Sequence, residues 1–178
     1  DTFEVVLNFD LPENAIVHDS WLWVGPYISR AQLLDRTRAN LIYEGIVQRR
    51  QDPSILYKNT PTQYELRVFP MAGNEQRKVK ITYLVPVNWN QLGVSASLPV
   101  NILNASQIRP TLHLQCYENA TFQNPSVTEI PGLNFQQNPA GYQSAMVSST
   151  HYASGNLLTY HLGSSLLNGI QATYFPTS

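Results

Sequence analysis

"AIVHDSWLWV", residues 15–24, followed by Gly25-Pro26, is the stretch on which the fold turns. Apolar and polar side chains alternate along it with the period of two that sends successive side chains to opposite faces of a strand. Working outward, the same alternation recurs in "TFEVVLNF" (2–9), "QYELRVF" (63–69), "KVKITYLVPV" (78–87), "VSASLPV" (94–100), "TLHLQCY" (111–117) and "NLLTYHL" (156–162). Turn signals separate these runs: Leu-Pro-Glu-Asn at 11–14, Gly25-Pro26, Ala-Gly-Asn at 72–74 and Pro131-Gly132. Many short strands at this spacing predict a mostly β chain folded as an antiparallel β-sandwich. No internal repeat is visible.

One segment breaks the pattern. In "DRTRANLIYEGIVQRR" (35–50), Ala39, Tyr43, Ile46 and Val47 recur at helical spacing, while Arg36, Arg38, Glu44, Arg49 and Arg50 can reach solvent. This predicts one amphipathic helix inserted between strands over about residues 30–50, capped by Ser29 or Asp35 and stopped at Asp52-Pro53. Arg49 and Arg50 fall where positive charge favours a helix C-terminus. The segment lacks interleaved aromatics and has no second basic element, so a helix closing one end of the sandwich is expected rather than a nucleic-acid surface.

Composition narrows the function. The 178 residues suffice for a domain with a real core, and 43% hydrophobic against 13% charged residues describes a folded chain poor in charge. A net charge of −1 argues against bulk attraction to nucleic acid or an anionic membrane. Of 11 basic and 12 acidic side chains, residues 81–178 carry only Arg109, Glu118 and Glu129. That half is rich in Asn, Gln, Ser, Thr and Tyr instead, a composition that points to an exported or envelope protein. No run of 18 apolar residues is present, so no membrane insertion by this segment is expected. Asp1 leads directly into a strand pattern, which suggests a piece excised from a longer protein.

Chemistry-bearing constellations are sparse. Cys116 lies on one face with Leu112 and Leu114, the setting of a buried, inert thiol. His18, His113, His151 and His161 are scattered without metal-site spacing, and no Walker loop, dinucleotide-binding glycine run or Gly-x-Ser-x-Gly elbow occurs. Asp10 and Glu13 flank a turn, where acidic residues are common. Asp52, Ser54 and Leu56 approach the Asp-x-Ser-x-Ser pattern of von Willebrand A domains, but Leu56 offers no oxygen. Asn104-Ala-Ser and Asn119-Ala-Thr match the glycosylation sequon. No catalytic residue, metal site or cofactor is expected. Trp21 and Trp23 share one face of a strand; packing in the core or between domains is expected of them, with a sugar-stacking platform as the alternative.

The ordered set "FDLPENAIVHDSWLWVG", "DRTRANLIYEGIV", "SILYKNTPTQYELRVFPM" and "RKVKITYLVPV" resembles the VIT domain, the vault protein inter-alpha-trypsin domain. The residues that match its pattern are Leu11 and Pro12 at a turn, Gly25 ending a strand, Asp35, Ala39 and Tyr43 in the helix, Phe69 and Pro70 ending an aromatic strand, and Tyr83. The family more often has Glu at the Asp35 position. The resemblance is clearest over residues 3–87 and weaker over 94–117, with a β extension after about residue 125 unassigned, and the whole of 1–178 is expected to be a single domain. It implies a non-catalytic interaction or scaffolding module of a larger envelope or extracellular protein. The expected partner is a neighbouring domain, such as a von Willebrand A-type domain, or another protein, with Arg36, Arg38, Arg49 and Arg50 as interface residues. A carbohydrate-binding β-sandwich is the alternative.

Overall fold

The computed structural model describes residues 2–30, 44–45, 54–90, 92–104, 108–153 and 158–164. Among the described residues the strands and short helices follow in order: β1 (Thr2–Asp10), β2 (Ile16–Val24), β3 (Tyr27–Arg30), β4 (Ser54–Lys58), β5 (Gln63–Ala72), β6 (Lys78–Leu84), β7 (Asn88–Asn90), β8 (Gly93–Leu98), α1 (Asn101–Asn104), β9 (Leu112–Cys116), β10 (Phe122–Val127), β11 (Gln136–Asn138), β12 (Tyr142–Val147), a 3-10 turn (Ser149–His151) and β13 (Leu158–Ser164). All the strand pairs are antiparallel. The mostly β class expected from alternation is what forms. The inserted helix lies almost wholly outside the described residues, of which Glu44 and Gly45 are helical. Its expected start is corrected: Ser29 and Arg30 belong to β3, where they pair with Leu22 and Trp21, because Gly25-Pro26 turns the chain straight back into a hairpin.

Two compact units are distinguished by their contacts, Asp1–Pro86 with Pro99–Ile108, and Val87–Leu98 with Arg109–Ser178. The first unit holds two sheets, ordered β1-β5-β4 and β3-β2-β6. Phe9, Leu11, Ala15, Leu22, Tyr64, Leu66 and Val68 form its buried core, and Leu7, Val17, Val24, Val79, Ile81 and Tyr83 pack against them. Side chains from both sheets therefore remove apolar area from water in one cluster, the dominant favourable term in folding. Phe9 and Tyr64, opposite each other in the ladder, stack at 5.8 Å, and the Tyr64 hydroxyl donates to the Ala15 carbonyl at 3.3 Å. Burial without a charged partner pushes the Tyr83 phenol above its ordinary value.

Two turns and two bulges shape this unit. The Ala15 amide donates to the Pro12 carbonyl at 3.0 Å across a turn in which Asn14 takes φ 65°, a left-handed value that Asn tolerates. Gly25, at φ 55°, opens the two-residue loop between paired Val24 and Tyr27, a conformation that a side chain would strain. Pro70 does not end its strand as expected, since β5 runs on to Ala72. Phe69 and Pro70 face the single residue Glu4 at a register shift, and at such a bulge a missing N–H leaves no ladder acceptor unserved. The second bulge, at His18, decides the candidate site.

The second unit holds the sheets β10-β13-β8-β7 and β11-β12-β9. Leu114, Cys116, Val127, Ala145, Val147, Tyr152 and Leu158 are its buried apolar residues. The Tyr152 hydroxyl donates to the Pro110 carbonyl. The Cys116 thiol is buried as alternation predicts, and burial pushes it up, which disfavours the reactive thiolate. The extension after residue 125 is about half strand in its described part.

Candidate functional site

Alternation unbroken through residues 15–24 would put Trp21 and Trp23 on the side of Ala15 and Val17, in the core. The bulge prevents this. Val17 pairs with Tyr83 and Asp19 with Thr82, so His18 is the extra residue and the parity of the strand switches there. Ser20, Leu22 and Val24 then turn inward, and Leu22 reaches 0% exposure. Asp19, Trp21 and Trp23 turn to the opposite face of β3-β2-β6. Both indoles are half-buried, and among the described residues neither is in the core cluster.

Register supplies their neighbours. Trp21 lies opposite Arg30 on β3 and Lys80 on β6, and Trp23 lies opposite Ile28 and Lys78. Directly opposed side chains on one face of an antiparallel pair are close enough to touch. The indoles stack at 6.3 Å and 25°, the Arg30 guanidinium sits 5.4 Å from the centre of the Trp21 ring, and the Lys78 ammonium sits 4.8 Å from that of Trp23. Asp19 holds the Trp21 end in place: it accepts from Trp21 Nε1 at 2.6 Å through Oδ2 and from Arg30 Nε at 3.0 Å through Oδ1. A cation over an aromatic ring contributes about 0.5–1 kcal/mol where exposed, so the array is held by several small terms acting on one rigid strand.

The Arg30 hydrogen bond, helped by the Trp21 N–H, outweighs desolvation and holds the Asp19 carboxyl below its ordinary value of 3.8. A depressed folded-state pKa means the contribution is present above the ordinary value and lost as pH falls through the lower, folded one. The Trp21 Nε1–H resonance should therefore move with pH along a single titration whose midpoint lies below 3.8. Two-dimensional NMR reads this directly; movement with a midpoint at or above 3.8 would contradict the Asp19 geometry.

The remaining expected residues scatter by role. Leu11 is buried in the core, Pro12 and Gly25 make turns, Phe69 and Pro70 occupy the β5 bulge, and Tyr83 packs on the core. Asp35, Ala39, Tyr43, Arg36, Arg38, Arg49, Arg50 and Asp52 lie outside the described residues. Asp10 accepts from Asn101 Nδ2 at 3.3 Å. Asn119 caps a turn, its Oδ1 accepting from the amides of Thr121 and Phe122 at 2.8 Å. Among the described residues no three His, Cys, Asp or Glu side chains gather as metal ligands, and no helix is long and apolar enough to cross a membrane. Arg30, Lys78 and Lys80 were not singled out by sequence reading. The signal for two of them was the alternation of "KVKIT", which puts Lys78 and Lys80 on one face and Val79 and Ile81 on the other.

Residues 1–83 match the family model of the vault protein inter-alpha-trypsin domain. No curated protein matches the chain. The matched stretch falls within the first compact unit and contains β1 to β5 and nearly all of β6, the strands that build both of its sheets and the tryptophan face.

Proposed function

We propose, from the match of residues 1–83 to the VIT family, that the first unit is a non-catalytic β-sandwich interaction module of a larger exported or envelope protein. Its contact surface is the outer face of β3-β2-β6. One observation supports this above the others: a bulge turns two tryptophans out of the core, and cations brace both rings in a fixed array. Trp21 and Trp23 are half-buried and Arg30 is exposed, and aromatic and Arg side chains held rigidly at a surface are the residue types that dominate protein–protein contacts, because little rotamer entropy is left to lose on binding. The partner is a neighbouring domain of the same protein or a separate protein.

Amide hydrogen exchange tests the reading. Exchange is measured on this chain alone and on the same residues within the complete protein together with its native partners. Added protection is expected in β2, β3 and β6. Identical exchange in those three strands in both preparations would overturn the reading. The carbohydrate alternative requires an indole face open to a sugar ring, whereas Arg30 and Lys78 already sit over the two rings. Saturable glycan-array binding, lost on Trp21→Ser with the fold intact, would favour that alternative.

A further inference from the structure

Among the described residues the charge on the tryptophan face is not balanced. Arg30, Lys78 and Lys80 lie on it with one described carboxylate, Asp19, and that carboxylate is engaged by Arg30 and Trp21. Among the described residues neither Lys78 nor Lys80 is in an ion pair, and both are exposed. They stand two residues apart on β6, so their side chains leave the same face from Cα atoms about 6.6 Å apart. An extended polypeptide presents its own alternate side chains at that same repeat.

We propose that the partner laid on this face is an extended acidic polypeptide segment, with carboxylates at alternating positions that meet Lys78 and Lys80. The inference rests on the reading of β3-β2-β6 as the contact surface and names the chemistry that surface takes. Ile28, 56% exposed and opposite Trp23, offers an apolar contact beside the cations, which suits the uncharged side chains of a peptide. The Trp21 N–H, already given to Asp19, is not available to a sugar hydroxyl.

The experiment uses the whole chain carrying Trp89→Phe, excited at the red edge where tyrosine does not absorb, so that Trp21 and Trp23 are the tryptophans observed. Its probe is a synthetic ten-residue peptide alternating Glu with Val and Thr, compared with the same peptide carrying Lys for Glu and with heparin. Saturable change in tryptophan emission is expected with the Glu peptide and not with the Lys peptide. Lys78→Gln with Lys80→Gln should weaken it at least tenfold while circular dichroism and melting stay unchanged, and added salt should weaken it further. Absence of saturable change with the Glu peptide, or equal affinity in the double Gln variant, overturns the inference. Binding of heparin alone also overturns it. If β2, β3 and β6 are nevertheless protected from exchange in the complete protein, the contact surface stands and only the acidic partner fails.

Discussion

Gly93→Ala should destabilise the second unit by about 3 kcal/mol or more, among the largest effects of any single methyl group added to this chain. Gly93 opens β8 and lies between Asn90 of β7 and Gly163 of β13. A Cβ built on it would stand 1.9 Å from the Leu162 carbonyl oxygen, 2.9 Å from the Leu162 carbonyl carbon and 3.0 Å from the Gly163 Cα. All three atoms are backbone, so no rotamer change relieves the clash and the strands must part. The φ of 150° adds strain for any residue with a side chain. Gly73→Ala is the control, because nothing lies within 4 Å of the Cβ it would gain. Chemical denaturation followed by backbone NMR of β8 and β13 reads both variants. Coincident curves for Gly93→Ala and the parent would show that these strands do not approach as described.

Leu22→Ala should cost the first unit a comparable amount, about 3 kcal/mol within the usual range of 2–5 for buried Leu. Leu22 is fully buried on the central strand of β3-β2-β6, and its side chain joins the cluster formed with Phe9, Leu66 and Val68 of the other sheet. Removing three carbons there loses their transfer free energy and leaves a cavity whose walls are strands held in register on both sides. A fall in melting temperature on the order of 10 °C is expected. An unchanged melting curve would place Leu22 outside the core, and with it the assignment of faces that turns the tryptophans outward.

That assignment is where sequence reading stopped short. Alternation located β1, β2, β5, β6, β8, β9 and β13 to within a few residues, because each is long enough to show the period. It also identified the buried side of β9 from Leu112, Leu114 and Cys116. The strands β3, β7 and β11 are only four, three and three residues long, too short to display a period. In β10 a Pro interrupts the run; Pro125 is tolerated because Asn124, at φ 57°, forms a bulge that shifts the register. In β2 the alternation was real, but its parity switches at His18. Both parities of "SWLWV" are largely apolar, so only pairing with "KVKIT", whose outer positions are Lys78 and Lys80, tells which side meets the core. A single sequence does not contain that register. The turn residues Pro12 and Gly25 were legible for the opposite reason, since their requirement is local to the backbone.

The outward placement of Trp21 and Trp23 carries the rest, and collisional quenching measures it directly. In the chain bearing Trp89→Phe, excited at the red edge where tyrosine does not absorb, the emission observed is that of these two indoles. Acrylamide should quench it, and iodide should quench it more strongly than caesium, because Arg30, Lys78 and Lys80 attract the anion to the face and repel the cation. The difference between the two ions should shrink as salt screens those charges. Blue-shifted emission that resists acrylamide and responds equally to iodide and caesium would put both indoles in the core and contradict the account.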